Sequence, residues 1–176
     1  DNDPAVFLAY LIAALAPLDP AAATAARRSA EASEQAHVVL GPLLNGLLAV
    51  EGDVVVVLDD YHAIDAQPVH EAVAFLVENL PAHVHLVIAG RADPPLPLGR
   101  LRARGELLEV RAADLRFTTE EASQYLNGSM HLTLDEPDVE ALEARTEGWI
   151  AALQLAAISM QGRDDASEFI ASFAGD

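Results

Sequence analysis

Residues 54–62 read Val-Val-Val-Val-Leu-Asp-Asp-Tyr-His, and this stretch decides the fold class. Its apolar run consists mainly of β-branched residues, which is typical of a strand buried on both faces of a parallel sheet. Apolar residues at helical spacing follow between Val69 and Leu80, and a second apolar run occupies residues 84–89. The order strand, helix, strand predicts two parallel strands joined by a right-handed crossover.

The remaining periodicities predict an α/β fold, with a partial parallel sheet and flanking helices, followed by a small helical subdomain. Asp3 and Pro4 indicate the capped start of a first helix. Residues 19–36 are either a loop or a weak exposed helix. The predicted strands lie near 54–59, 84–89 and 107–110, and the further predicted helices near 40–48, 119–126, 135–145, 149–160 and 166–173. The predicted domains are a truncated α/β core, residues 1–111, and the helical subdomain, residues 112–176.

Composition excludes several classes of function. Hydrophobic residues make up 52% of the 176 residues, so a sizeable core is expected. The absence of Cys excludes disulfides and thiolate chemistry and is consistent with a cytoplasmic location. No apolar run approaches the ~20 residues that span a bilayer, so no membrane partner is expected. A formal net charge of −18 opposes contact with a phosphate backbone, so we expect no DNA-reading surface in this chain.

The basic residues, 10 in number, are all Arg, and Lys is absent. A Walker A phosphate-binding loop needs a Lys that reaches the β- and γ-phosphates, so this chain contains no such loop. Lysine Schiff-base chemistry is excluded for the same reason. The chain also begins at Asp1 without a Met, which favours an internal piece of a longer protein.

Two carboxylates, Asp59 and Asp60, follow the first predicted strand directly. Ligands of open parallel sheets bind at the carboxyl ends of the strands. At such a position Asp59 could hold Mg²⁺ and Asp60 could polarise an attacking water. The competing interpretation is an ordinary turn, because Asp is common where a strand ends.

A cation, Arg91, follows the second predicted strand. Because parallel neighbours end at the same side of a sheet, we expect Arg91 near Asp59, where it would suit the recognition of a γ-phosphate. A solvated loop Arg is the alternative. For Arg100, Arg102 and Arg104 we expect pairing with surface carboxylates.

Five stretches occur in the order and spacing of a known family. They are Asp1-Asn-Asp-Pro-Ala-Val-Phe-Leu-Ala-Tyr-Leu11, Val54-Val-Val-Val-Leu-Asp-Asp-Tyr-His62, Ala89-Gly-Arg91, Leu115-Arg-Phe-Thr-Thr-Glu-Glu-Ala122 and Glu147-Gly-Trp-Ile-Ala-Ala-Leu-Gln-Leu155. Together they resemble the signal-transduction ATPase module of MalT-like, LuxR-type transcriptional regulators, which belongs to the STAND class of P-loop ATPases. The similarity covers nearly the whole chain.

The resemblance implies a parent protein with an N-terminal ATPase module, a superhelical sensor and a C-terminal helix-turn-helix domain. An unknown small-molecule inducer and ATP would drive its self-association, and it would contact DNA only through a domain absent from this chain. Asp59 matches the Walker B carboxylate and metal ligand, Asp60 its catalytic neighbour, and Arg91 the sensor arginine. Gly148 and Trp149 match a Gly-x-Pro motif near adenine, although the Pro is absent here.

The cofactors implied for the intact parent are therefore ATP and Mg²⁺, whereas none is expected in this chain alone. The leading interpretation is a piece of a regulatory ATPase switch. The alternatives are a protein-interaction domain that never binds nucleotide and, last, a Mg²⁺-dependent hydrolase that uses Asp59 and Asp60.

The resemblance also predicts an open sheet edge. In that family the P-loop strand lies between the strands that match 84–89 and 107–110. Without it, residues 84–89 would keep only residues 54–58 as a partner, leaving backbone groups free to pair. We expect that residues 107–110 close the gap, that a second copy does so, or that the chain self-associates weakly.

Overall fold

The structure is a computed structural model that describes residues 2–33, 35–161, 169–170 and 172. The chain forms two compact units, Asp1–Leu107 and Leu108–Asp176. The elements of the first unit are α1 (Pro4–Leu15), α2 (Pro20–Ala32), α3 (Ala36–Leu47), β1 (Val54–Leu58), α4 (Gln67–Asn79), β2 (Val84–Ile88) and α5 (Leu98–Arg104). The elements of the second unit are α6 (Thr119–Ser123), which continues as a wider π-helical turn over Gln124–Ser129, α7 (Glu136–Thr146) and α8 (Ile150–Met160).

The predicted parallel strand pair is confirmed, and with it the α/β class. β1 and β2 are parallel neighbours, with Val54 opposite Val84 and Leu58 opposite Ile88. The connection between them contains α4. One face of the pair packs into the core of the first unit together with residues of α1, α3 and α4. The carboxyl ends of the two strands therefore lie side by side.

The expectation that the first strand is buried on both faces is wrong. Val55 and Val57 are each 59% exposed and Val87 is 46% exposed, whereas Val54 and Val84 are buried. Alternate residues of a strand point to opposite faces, and among the described residues the helices cover only one of them. The run of Val residues correctly indicated a strand, but it did not indicate whether helices cover one face of that strand or both.

The third predicted strand is also wrong, because residues 107–110 adopt no strand conformation. The sheet built from the described residues contains β1 and β2 alone. Leu108 is 88% exposed and Val110 is 59% exposed. A short apolar segment becomes a strand only when an edge accepts its N–H and C=O groups, so this segment does not close the gap beside β2.

The ambiguous stretch over residues 19–36 contains a helix, α2. Asp19 caps its N-terminus by accepting hydrogen bonds from the N–H groups of Ala21 and Ala22, at 2.9 and 3.0 Å. Ala23 and Ala26 are fully buried in the core of the first unit, so tertiary packing of this alanine face stabilises the helix.

The second unit is helical, as the sequence predicts for this part of the chain. The helices predicted at 119–126, 135–145 and 149–160 correspond to α6 with its π-helical continuation, α7 and α8. Its core is formed by buried side chains that include Leu126, Leu142 and Leu153. The helix predicted at 166–173 lies largely outside the described residues. In the part of the chain that the structure describes, no helix is long and apolar enough to cross a membrane.

Candidate functional site

The candidate site begins at the turn that follows β1. Asp59 and Asp60 both lie in this turn and are exposed. Asp60 adopts a left-handed backbone conformation, with φ 50° and ψ 32°. Its N–H donates a hydrogen bond of 2.8 Å to Oδ1 of Asp59, so the backbone of one Asp orients the carboxylate of the other.

Backbone hydrogen bonds join this turn to the end of β2. The N–H of Ala89 donates to the carbonyl of Leu58, and the N–H of Tyr61 donates to the carbonyl of Ala89, both at 2.9 Å. A Cβ atom on Gly90 would lie 3.4 Å from the backbone nitrogen of His62, which shows how closely the two loops pack. The turn that carries Asp59 and Asp60 and the loop that carries Arg91 are therefore neighbours at the carboxyl end of the sheet.

Arg91 is exposed and forms no hydrogen bond or ion pair with any residue that the structure describes. Two of the other arginines do pair with carboxylates, as predicted. Arg100 pairs with Glu78, and Arg104 lies 3.9 Å from a carboxylate oxygen of Glu106. The guanidinium of Arg91 is thus free to bind an anion from solution, whereas those of Arg100 and Arg104 already face carboxylates.

The residues near Asp59 do not form a complete metal site. Within the described ranges, no group of three or more His, Cys, Asp or Glu residues could hold a metal ion. His62 approaches Asp60 instead, with 3.8 Å between Nδ1 and Oδ1. Mg²⁺ is typically held by one or two carboxylates together with phosphate oxygens and water. Asp59 and Asp60 therefore fit Mg²⁺ only if phosphate supplies part of the coordination.

Gly148 and Trp149 belong to the second unit, whereas the two carboxylates and Arg91 belong to the first. Gly148 has a φ of +72°, and a Cβ there would lie 2.5 Å from the carbonyl oxygen of Phe117. The N–H of Phe117 donates a 2.8 Å hydrogen bond to the carbonyl of Gly148. Backbone packing thus explains why this position is Gly. Trp149, the residue before α8, is 39% exposed.

Sequence reasoning missed three residues that hold the turn after β1. The hydroxyl of Tyr61 lies 2.9 Å from Nδ1 of His70, in a buried contact. Oδ1 of Asn2 accepts hydrogen bonds from the N–H groups of Asp65 and Ala66, at 2.6 and 3.2 Å. The contacts of Asn2 join residues more than sixty positions apart, so no local pattern could indicate them.

No family model matches the chain. Among curated proteins, the serine/threonine-protein kinase PknK of Mycobacterium tuberculosis is 34% identical over 99% of the chain. The HTH-type transcriptional regulator MalT of Vibrio cholerae is 32% identical over 92% of the chain, and MalT of Yersinia enterocolitica is 34% identical over 90%. The chain spans only 16% of the length of PknK and 18% of each of these MalT proteins.

The resemblance stated from the sequence is therefore confirmed. The relatives include MalT from several bacteria, and the matches extend over both compact units. Over nearly its whole length, the chain is therefore homologous to one segment of the MalT transcriptional regulators and of PknK.

Proposed function

We propose that this chain is part of a nucleotide-dependent switch in a MalT-like regulatory protein. Asp59 would coordinate the Mg²⁺ of bound ATP, Asp60 would stand beside the reacting phosphate, and Arg91 would sense the γ-phosphate. The observation that carries this proposal is the set of backbone hydrogen bonds that joins the Asp59–Asp60 turn to Ala89, two residues before Arg91.

The chemistry of these side chains suits the proposed roles. When bound, Mg²⁺ would neutralise charge on the phosphates. Asp59 already has one carboxylate oxygen oriented by the N–H of Asp60, which favours one direction for its second oxygen. Arg91 is exposed, and a guanidinium can grip two phosphate oxygens at once. Anion binding by Arg91 would therefore report whether the terminal phosphate is present.

The phosphate-binding loop has to come from outside this chain, because the chain contains no Lys. The net charge of −18 likewise opposes direct DNA contact. We therefore propose that the complete regulator supplies the loop, and that it reads DNA and senses a small-molecule inducer through other domains. Self-association of the complete regulator is part of the same proposal.

The identity of the relatives supports a switch over a specialised catalyst. One relative is named as a protein kinase and the others as transcriptional regulators. A segment shared by proteins with such different outputs is suited to control rather than to the output itself. This chain also lacks the Lys that a kinase active site requires. Trp149, which is 39% exposed as a residue, is our candidate for contact with the adenine, and Gly148 shapes the turn that precedes it.

The test uses the complete protein that carries this chain. Asp59→Asn keeps an acceptor for the N–H of Asp60 but removes the charge, and Arg91→Ala removes the cation. We expect each variant to lower ATP turnover by about 10²-fold, the usual effect of removing one preorganised charged group. The readouts are single-turnover hydrolysis and activation of the output domain.

Matched controls lie at the opposite end of the same strand and in the paired arginine cluster. Asp53, just before β1, is exposed, and Arg104 faces Glu106. Asp53→Asn and Arg104→Ala should leave turnover within about twofold. Wild-type turnover in both Asp59→Asn and Arg91→Ala would rule out the nucleotide role.

One observation favours a second candidate function, a protein-interaction domain without nucleotide. Val55, Val57 and Val87 form an exposed apolar patch on the sheet, and such patches often mark binding surfaces. The same assay separates the two functions. An interaction domain predicts that Val57→Ser impairs activation of the output domain, whereas Asp59→Asn and Arg91→Ala do not.

A further inference from the structure

A buried side-chain pair anchors the turn after β1 from inside the first unit. Tyr61 is 2% exposed and His70, on α4, is 6% exposed. The Tyr61 hydroxyl lies 2.9 Å from Nδ1 of His70, and the two ring centroids are 5.5 Å apart. Each polar atom satisfies the other, so neither is left unpaired in the core.

A second contact anchors the same loop from the start of the chain. Oδ1 of Asn2 accepts hydrogen bonds from Asp65 and Ala66, and its Nδ2 donates to the carbonyl of Ala63 at 3.4 Å. The next residue, Asp3, caps α1. The loop between β1 and α4 is therefore tied at Tyr61 to the core and at residues 63–66 to the beginning of α1.

The turn needs restraints beyond its own hydrogen bonds, because Asp60 holds a left-handed backbone conformation. A left-handed conformation is unfavourable for most residues other than Gly, although Asp tolerates it better than most. The side chain of Asp60 is 80% exposed, so water competes for its hydrogen bonds. The direction of both carboxylates consequently depends on how firmly the following residues hold the backbone.

We infer that the Tyr61–His70 hydrogen bond, assisted by Asn2, is the device that positions the carboxylates of Asp59 and Asp60. All three are positioning residues, since they act through the backbone of the turn. The restraint on the turn follows from the contacts alone. Its effect on catalysis rests on the proposed nucleotide function, and the two parts are tested separately.

The first test measures how often the turn opens in the 176-residue chain. Removing one partner of a buried hydrogen bond leaves the other unsatisfied, whereas removing both can be nearly neutral for stability. The decisive variant is therefore Tyr61→Phe combined with His70→Leu. By NMR, amide exchange at Tyr61, Ala63 and Asp65 should become about tenfold faster, while α3 amides stay within about twofold.

A matched control separates this effect from the loss of any tyrosine hydroxyl. Tyr10 is 66% exposed, and Tyr10→Phe should leave exchange at all of these amides unchanged. Asn2→Ala should accelerate exchange at Asp65 most strongly, because its N–H loses its acceptor. If amide exchange in the double variant accelerated equally at the turn and in α3, the whole unit would be destabilised. That result would overturn the inference that the Tyr61–His70 pair restrains the turn.

The second test uses the complete protein and separates affinity from turnover. A misplaced carboxylate should lower kcat by about tenfold at nearly unchanged KM, whereas a merely destabilised protein loses active molecules but keeps its turnover per molecule.

If the turn loosens and Asp59→Asn has no effect on turnover, the positioning stands and the nucleotide function fails. If Asp59→Asn lowers turnover but the loosened variant keeps wild-type kcat, the positioning role is wrong.

Discussion

The backbone N–H of Tyr61 donates a 2.9 Å hydrogen bond to the carbonyl of Ala89. This contact joins the residue after Asp60 to the residue that follows β2, two positions before Arg91. Main-chain hydrogen bonds thus join the turn that carries the carboxylates to the loop that carries the cation. Substitutions of Asp59 or Arg91 should therefore change the chemistry of the site without moving its backbone.

The 176-residue chain by itself should bind Mg-ATP negligibly. Phosphates are held mainly by a Gly-rich loop of backbone N–H groups and its Lys, and this chain contains no Lys. Calorimetric titration with Mg-ATP should show no saturable heat beyond that of dilution. Saturable binding with a micromolar Kd would contradict both this prediction and the proposal that the loop lies elsewhere.

Stability of the first unit should fall at high pH because of Tyr61. Burial raises the pKa of Tyr61 to about 12, whereas a Tyr in an unfolded chain has a pKa near 10. Between those pH values the unfolded state loses the phenol proton of Tyr61 more readily than the folded state does. The contribution of Tyr61 to stability is therefore complete below about pH 10 and declines as the pH rises towards 12.

Urea unfolding followed by circular dichroism at several alkaline pH values measures this decline. In Tyr61→Phe the part of the pH dependence that belongs to this phenol should vanish. Tyr10→Phe, at a site that is 66% exposed, should keep the wild-type slope. A slope that is the same in all three proteins would show that Tyr61 does not control alkaline stability.

Gly148→Ala should destabilise the second unit by at least about 2 kcal/mol, because the new side chain combines left-handed strain with a backbone clash. The ideal Cβ would lie 2.5 Å from the carbonyl oxygen of Phe117. Fluorescence of Trp149, the single Trp of the chain, reports unfolding of this unit. Gly128→Ala is the control, since among the described residues no atom outside its chain neighbours and the adjacent helix backbone lies within 4 Å of its ideal Cβ. Equal stability of the two variants would show that the approach to Phe117 is not tight.

Thr118→Ala should destabilise the second unit by about 1 kcal/mol, the usual effect of losing a helix cap. The hydroxyl of Thr118 accepts from the N–H of Glu121 at 3.3 Å, and a carboxylate oxygen of Glu121 accepts from the N–H of Thr118 at 2.9 Å. Thr133→Ala, at an exposed position, is the control. Urea unfolding followed at Trp149 measures both variants, and identical midpoints would exclude a role for the cap.

The same cap predicts a dependence on acidic pH. Hydrogen bonds from the backbone and hydroxyl of Thr118 hold the pKa of Glu121 below its usual value. A lowered carboxyl pKa contributes stability above the unfolded-state pKa that is lost as the pH falls through the folded-state pKa. Glu121→Gln should remove this contribution, and urea midpoints between about pH 3 and 6 would reveal it. If the urea midpoint of Glu121→Gln falls at acidic pH as much as that of the wild type, Glu121 does not cause the pH dependence.

The sequence alone determined the features that depend on local chemistry. Four Val residues followed by Leu indicated β1, and Asp3, Thr118 and Asp135 each cap a helix where the sequence predicted one to begin. The absence of Lys excluded a phosphate-binding loop without any coordinates. Such signals are readable because propensity and capping involve residues only a few positions apart.

Tertiary structure decided everything that depends on a distant partner. Residues 107–110 do not form a strand because they form no backbone pairing with the edge of a strand among the described residues. The exposure of Val57 and the helical state of the Ala-rich stretch after Asp19 likewise depend on which surfaces pack together. The hydrogen bond between Tyr61 and His70 exists because Tyr61 and α4 pack into the same core. Contacts of this kind are set by packing in three dimensions, which composition and periodicity do not encode.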